Sequence, residues 1–171
     1  QLGRVLDWRE ASGRADQLNL IALSDHGHVS TIGAPLDLAQ HLVAAGLDTD
    51  IAVVRGRCGG LYPDHHADAP AIVEWLQRQD WCGPLLSSGT ALPGVRAPAT
   101  VNLDHPRTAP TTFVLADDLE AGRGGHPGRA LHDNPGIPAG GSMHGGLTPY
   151  ELNHVMAFSG PSFQAGLNLT V

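Results

Sequence analysis

A short aliphatic run that ends in a cluster of polar residues constrains the fold of this chain more than any other feature. Residues 18–23 (Leu-Asn-Leu-Ile-Ala-Leu) lack Pro and Gly, a pattern that predicts a buried strand. Asp25 and His26 follow this run almost directly, so they lie where the strand ends. Because ligands of open α/β sheets bind beyond the carboxyl ends of the strands, we expect Asp25 and His26 to face a binding site.

The rest of the chain alternates between helical and strand patterns, which predicts an α/β fold. Pro and Gly separate most of these segments, and Thr148 and Glu151 have the spacing of a capping box at the start of a short helix. The predicted helices cover residues 1–12, 35–46 and 68–79, and the predicted strands cover residues 51–54, 85–86, 111–116 and 155–158. Residues 57–60 are expected to form a turn, after which residues 61–62 pair back as a hairpin.

The segment 122–146 is rich in glycine and shows no hydrophobic period, so it is predicted to be a long loop. It contains His126, His132 and His144. A loop of this length in a compact domain is usually functional or mobile. We expect His126 and His132 to lie at its surface.

Composition restricts the classes of partner. The chain has 171 residues, of which 42% are hydrophobic, so it is long enough for one domain with a core. Lys and Arg number 10 against 17 Asp and Glu, and the formal net charge is −7, so a nucleic-acid polymer is not expected as a partner. No apolar run approaches the roughly 20 residues of a membrane-spanning helix. The sequence indicates neither a compartment nor an oligomeric state.

Of the residue types that commonly bind metals, cysteine is rare in this chain and histidine is frequent. The only cysteines, Cys58 and Cys82, show no CxxC spacing, which argues against a zinc ribbon or a disulfide framework and leaves a single bridge open. The chain has ten histidines, and neutral imidazole is the commonest metal ligand. Asp25 and His26 offer an oxygen and a nitrogen donor suited to Zn²⁺, although a hydrogen-bonded turn explains such a pair equally well. His144 has glycines on both sides, which permit the close backbone approach that a buried ligand site requires.

Two segments of the chain resemble the alkaline phosphatase superfamily, in particular its type I phosphodiesterase/nucleotide pyrophosphatase branch. The matching strings are Ser-Asp-His-Gly at residues 24–27, His-Gly-Gly-Leu-Thr-Pro-Tyr-Glu at 144–151 and Gly-Pro-Ser-Phe at 160–163, in the order and spacing of that family. The resemblance covers essentially the whole chain, residues 1–171. It implies a three-layer α/β sheet with flanking helices and a small α+β insert at about residues 51–100.

The resemblance also implies a function, which is metal-dependent hydrolysis of phosphate esters with two divalent ions, expected to be Zn²⁺. Asp25 and His26 would bind the metal that also holds the nucleophile, and His144 would bind the other. Two such cations clamp the attacking and leaving oxygens of an in-line displacement and neutralise the developing charge. The implied substrate is a small-molecule phosphate ester.

The family's nucleophile and its earlier metal ligands precede the Asp-His-Gly string, and only 24 residues precede Asp25 here. None of these residues matches, and Asp7 lies on a predicted helix without a His four residues later. The chain is therefore expected to be the C-terminal portion of a longer enzyme, with its nucleophile upstream. A sulfatase or phosphonate hydrolase of the same superfamily, or a non-catalytic fragment or binding domain, remain the alternatives.

Other polar and aromatic residues are expected to have structural roles. His28 is expected in an exposed loop, or less often as a residue that orients a ligand. Glu151 is expected to be a helix cap and not an acid catalyst. The same structural reading covers the hydroxyls of Ser30 and Thr31, the solvated loop around His65 and His66, an ion pair among Asp104, His105 and Arg107, and a core role for Trp75 and Trp81.

Overall fold

The computed structural model describes residues 1–47, 52–63, 69–89 and 91–166, and it has a mixed α/β fold with several sheets and few helices. The α/β class predicted from the sequence is therefore confirmed. The helices are α1 (Leu2–Ala11), α2 (Leu38–Ala44), α3 (Ala69–Gln77) and α4 (Pro149–Leu152), with a 3-10 helix at Pro98–Val101. The strands are β1 (Leu20–Leu23), β2 (Val29–Thr31), β3 (Ala52–Arg55), β4 (Cys58–Leu61), β5 (Cys82–Ser87), β6 (Val95–Arg96), β7 (Thr111–Leu115), β8 (Asp117–Ala121), β9 (Pro127–Ala130), β10 (Ser142–Met143) and β11 (Met156–Ser159).

These strands form three sheets within the described residues. β1 pairs with β11 in an antiparallel two-stranded sheet. A second sheet has the order β10-β2-β9-β8, in which only β2 and β9 run parallel. The third has the order β3-β4-β7-β5-β6, in which only β5 and β6 run parallel. Within the described ranges, no helix is sufficiently long and apolar to cross a membrane.

The chain divides into two compact units, one formed by residues 1–27 with 153–171 and the other by residues 28–152. In the first unit, Arg9 of α1 donates a hydrogen bond to Ser159 Oγ of β11 at 3.1 Å. The predicted strand is present as β1, but the prediction that it is buried is wrong, because Ile21 is 52% exposed and Leu23 is 63% exposed. Among the described residues β1 has one neighbouring strand, so it is not the interior strand of a larger sheet.

The core of the second unit lies between its five-stranded sheet and the helices α2 and α3. On α3, Ile72, Val73 and Leu76 share one face and are almost fully buried, as the helical spacing predicts. Each such side chain contributes roughly 2 kcal/mol on burial. Trp81 is 4% exposed and packs edge-on against Phe113 with ring centroids 5.9 Å apart, so its predicted core role is confirmed. Trp75 is partly buried against the same core and also meets Trp81 edge-on.

Most predicted helices and strands are present, but two segments that were predicted to be a turn and a loop contain strands. The predicted turn at residues 57–60 is wrong because β4 already begins at Cys58; Gly56, with φ of +71°, makes the turn one residue earlier. The hairpin itself is confirmed, since β3 and β4 pair antiparallel. The predicted loop at residues 122–146 is wrong because it contains β9 and β10, which pair with β2. Residue 68, at which the third helix was predicted to begin, lies outside the described residues, and the proposed insert at about 51–100 stays a prediction.

Candidate functional site

Asp25 and His26 form a turn directly after β1, in the first unit. The Asp25 Oδ1 atom accepts a hydrogen bond from the backbone amide of His26 at 3.2 Å. The His26 Nδ1 atom lies 2.9 Å from the carbonyl oxygen of Gly27, so the tautomer with its hydrogen on Nδ1 donates there. In that tautomer His26 Nε2 has its lone pair, and it lies 3.4 Å from Asp25 Oδ2. An acceptor oxygen and an acceptor nitrogen that lie this close fit two ligands of one cation.

His144 lies in the second unit, directly after β10, and the register of two strands places it beside His28. Ser142 pairs with Ser30 and Met143 pairs with Val29. One further step along this antiparallel ladder puts His144 opposite His28, and their ring centroids lie 5.1 Å apart with the rings inclined at 69°. Both histidines are exposed. His28 is exposed and precedes β2, as expected of a loop residue, but its pairing with His144 was not predicted because β2 and β10 were not recognised as strands.

The alternation of side chains across this ladder separates an apolar face from a polar one. Val29 is 3% exposed and Met143 is 8% exposed, so both point into the protein. His28 and His144 are their immediate neighbours in sequence and therefore point to the opposite face. The Ser142 hydroxyl lies on that face too, 3.0 Å from His28 Nδ1.

The loop that follows His144 is fixed by a buried carboxylate, Glu151, on α4. Its Oε1 atom accepts a hydrogen bond from the Gly146 amide at 2.9 Å, and its Oε2 atom accepts one from the Thr148 hydroxyl at 2.9 Å. The predicted short helix is present, but the Glu151 carboxylate bonds the Thr148 side chain and the Gly146 amide, so its predicted role as a cap of the helix-start amides is not what these contacts show. Sequence reasoning missed its second role, which is a bidentate pair with the guanidinium of Arg57 at 3.0 and 3.2 Å.

Arg57 is fully buried at the turn between β3 and β4. Its Nε and Nη2 atoms donate to Glu151, and its Nη1 atom donates to the carbonyl oxygens of Leu115, Leu131 and Ala116 at 2.6, 3.1 and 3.3 Å. This one side chain therefore ties the five-stranded sheet and the four-stranded sheet to the His144 loop. A guanidinium is suited to this role because it is planar and always charged.

The charges of this network perturb its carboxylates in opposite directions. Burial of Glu151 acts to raise its pKa, but the hydrogen bond and charge of Arg57, with the donors on Gly146 and Thr148, outweigh burial and lower the pKa. For Asp117, whose carboxylate lies 3.6 Å from Arg57, burial outweighs the guanidinium and raises the pKa. Glu151 therefore stays ionised as the main partner of Arg57.

Gly146 is the residue whose lack of a side chain permits this packing. A Cβ atom at this position would overlap the Glu151 carboxylate and would lie 2.6 Å from Arg57 Nη2. Gly145 has a φ of +102°, which L-residues with side chains rarely adopt. The predicted close approach of this glycine segment is therefore present, and the group that approaches it is the Arg57–Glu151 pair.

His132 departs from its predicted surface position, since it is fully buried. Within the described part of the chain, neither ring nitrogen makes a hydrogen bond of standard geometry. Burial lowers the pKa of His132, more than the nearby carboxylate of Asp133 and the backbone of Asn134 raise it. The prediction failed because His132 follows β9 by two residues, and that strand was read as a loop.

The remaining candidates have local roles. Thr31 donates from Oγ1 to the carbonyl of Pro138 at 2.7 Å, which is the structural role expected of it. In place of the predicted ion pair, His105 Nδ1 accepts a hydrogen bond from the Arg107 amide at 3.1 Å in an exposed turn. His126 is exposed, as expected. Cys58 and Cys82 are free thiols, and the histidines at 65 and 66 lie outside the described residues.

The three predicted metal ligands are thus distributed over both units, with Asp25 and His26 in the first and His144 in the second. Across the described ranges, no group of three or more His, Cys, Asp or Glu side chains is set to hold a metal ion. What the geometry does show is a pair of potential ligands in each unit, Asp25 with His26 and His28 with His144.

The fold and these side chains define a mixed α/β protein that presents one Asp–His pair and one His–His pair. Comparison of the chain with known proteins finds no matching family model and no matching curated protein. The resemblance to the alkaline phosphatase superfamily therefore stays a hypothesis that rests on the motifs.

Proposed function

We propose that this chain is part of a metal-dependent hydrolase of phosphate esters, of the phosphodiesterase/nucleotide pyrophosphatase type. The observation that carries the proposal is the geometry of Asp25 and His26. Their Oδ2 and Nε2 atoms lie 3.4 Å apart at the end of a strand, as two ligands of one cation require. The motifs at residues 24–27 and 144–151 supply the reaction class.

In this proposal Asp25 and His26 hold one divalent ion and His144 holds the other, and Zn²⁺ suits these oxygen and nitrogen donors. Such ions stabilise the charge that develops on the oxygens of the phosphoryl group during in-line displacement. The chain's own contribution is to keep its ligands in place. For His144 the buried Arg57–Glu151 pair does so, because it holds the amide of Gly146 two residues further on.

The proposal extends to the architecture, a three-layer sheet with flanking helices. Support comes from the sheet of β1 and β11, where Ile21 lies opposite Phe158 and Leu23 opposite Met156. These four apolar side chains share one face, and each is 46% to 63% exposed. Apolar faces of this kind are rare on protein surfaces unless another element covers them, which is the role of a further layer in the whole enzyme.

The nucleophile and the remaining ligands belong, in this proposal, to a segment upstream of Gln1. The test therefore uses the full-length protein. We expect about two zinc ions per chain by native mass spectrometry with elemental analysis, and hydrolysis of bis(p-nitrophenyl) phosphate. The variant His144→Ala should lose about one metal ion per chain and most of the activity while the fold survives.

The matched control is His126→Ala, which removes an exposed imidazole from the connection between β8 and β9. It should retain both metal and activity. Unchanged metal content in His144→Ala would contradict the ligand assignment. If p-nitrophenyl sulfate is hydrolysed faster than both the p-nitrophenyl phosphate monoester and the diester, the substrate class is sulfate esters and not phosphate esters.

A further inference from the structure

We infer that His28 and His144 together form a two-imidazole site for a divalent transition-metal ion, with Ser142 as the residue that positions His28. The inference rests on the proposed function in one respect, since it gives the ion assigned to His144 a second ligand from this chain. It adds His28, which neither the motifs nor the sequence periodicity indicated as a ligand. It needs no assumption about which ester is hydrolysed.

The first argument is the strand register. Directly opposed residues of an antiparallel pair have Cβ atoms about 5 Å apart, so two histidines at such positions can reach a common ion. His28 and His144 occupy the position that follows the Met143–Val29 pair, and they belong to the same unit. Their backbones are fixed on the inner side by the buried side chains of Val29 and Met143. The site therefore adjoins the end of a strand pair, one position beyond the paired residues Val29 and Met143.

The second argument is the orientation of the rings. Two imidazoles bound through one nitrogen each to a tetrahedral ion, with metal–nitrogen bonds near 2.0 Å, place their ring centroids about 5 Å apart. The observed separation of His28 and His144 is 5.1 Å, and the rings are inclined at 69° and do not stack. Little rearrangement is therefore needed for both rings to bind one ion.

The third argument is the hydrogen bond of Ser142 to His28. A metal-bound histidine commonly donates its second ring N–H to a neighbouring acceptor, which fixes the tautomer and the ring orientation. The Ser142 hydroxyl lies 3.0 Å from His28 Nδ1 and is able to accept that hydrogen. His28 Nε2 is then the nitrogen that carries the lone pair for a metal.

The ligand class follows from the donors. Imidazole suits Zn²⁺, Ni²⁺ and Cu²⁺, while Mg²⁺ and Ca²⁺ prefer oxygen. Both histidines are exposed, so an ion is able to enter from solvent and to complete its coordination with water or with an oxygen of a substrate. Among the divalent ions, affinity should follow the order Cu²⁺ above Ni²⁺, with Zn²⁺ below Cu²⁺.

The test is calorimetric titration of the metal-free full-length protein with Zn²⁺ alone, without substrate, for the variants His28→Ala, His144→Ala and Ser142→Ala. We expect His28→Ala and His144→Ala each to weaken the same binding event by at least about tenfold, and Ser142→Ala to weaken it by roughly tenfold or less. The matched controls His105→Ala and His126→Ala, at exposed histidines outside the pair, should leave it unchanged. A second readout is the Cu²⁺ spin-resonance spectrum, whose nitrogen splitting should indicate one bound nitrogen fewer in His28→Ala than in the wild type.

Zn²⁺ affinity that is lowered by His144→Ala and unaffected by His28→Ala would overturn the inference, as would a Cu²⁺ spectrum that His28→Ala does not alter. Both substitutions are at exposed positions, and circular dichroism with a thermal melt verifies that each variant is folded. The two proposals fail separately. If both histidines bind Zn²⁺ but no phosphate ester is hydrolysed, the proposed function fails and the two-imidazole site stands. If hydrolysis depends on His144 but Zn²⁺ binding is unchanged in His28→Ala, the two-imidazole site fails and the proposed function stands.

Discussion

Substitution of Arg57 by Met should be among the most destabilising single changes in the second unit, because it leaves a carboxylate buried without its cation. Glu151 would keep only the hydrogen bonds from Gly146 and Thr148, and three carbonyl oxygens would lose the Nη1 donor. Removal of one partner of a buried ion pair costs about 3 to 5 kcal/mol. We expect about 4 kcal/mol, since the two remaining hydrogen bonds offset part of the loss. Small domains are stable by about 5 to 15 kcal/mol, so a large part of the stability would be lost.

The assay is urea unfolding of a double-mutant cycle at pH 7, with Arg57→Met, Glu151→Gln and the double variant. Glu151→Gln keeps an acceptor for the Gly146 amide but leaves the guanidinium without its closest counter-charge. The double variant should be less destabilised than the sum of the single variants by about 2 kcal/mol, because neither charge is then buried alone. A coupling energy near zero would refute the view that Arg57 and Glu151 act as a pair.

The pH dependence of stability tests the same Arg57–Glu151 pair. The pKa of Glu151 is lowered in the folded protein, so its contribution to stability is fully present above its unfolded pKa of about 4.3 and is lost as the pH falls through the folded value. The penalty for Arg57→Met should therefore shrink below about pH 4, where the carboxylate accepts a proton at less cost. A penalty that stays constant down to pH 3 would mean that the charge of Glu151 is not what Arg57 compensates.

Three shorter predictions concern other residues. Gly146→Ala should cost about 2 kcal/mol in urea unfolding through overlap with the Glu151 carboxylate, whereas Gly3→Ala, with open space around it on α1, should be neutral or stabilise by up to about 1 kcal/mol. The pKa of His132 is lowered, so the folded state disfavours its protonation and stability should fall as the pH drops below about 6.5; His132→Leu should flatten that part of the profile. Burial raises the pKa of Cys82 to about 12, so iodoacetamide at pH 8 should label it far more slowly in the folded protein than in urea.

The sequence predicted those features that depend on local pattern. Helices with a clear apolar face, such as α3, and strands rich in β-branched residues, such as β7, form where they were expected. The Thr148–Glu151 spacing correctly marked the start of α4. In each case the signal and its structural cause lie within a few residues of each other.

The features that were missed depend on partners distant in the chain. β9 has a Pro and a Gly among its four residues, and it is a strand because β2 and β8 supply its hydrogen bonds. The His28–His144 pair requires the register of β2 with β10, and the Arg57–Glu151 pair joins residues 94 positions apart. Local periodicity carries no information on strand order, so neither pair was predictable without the fold.

The division of the chain also bears on how the protein folds. The two strands β1 and β11 of the first unit are separated in sequence by the whole of the second unit. Closing so long a segment while it is a flexible coil costs conformational entropy before any hydrogen bond between β1 and β11 is made. Contacts of such high sequence separation also form slowly. Prior folding of the second unit removes most of that cost, because its chain has already been ordered. The two-stranded sheet of β1 and β11, after whose first strand Asp25 and His26 lie, is therefore expected to form last during folding and to open first under heat or denaturant.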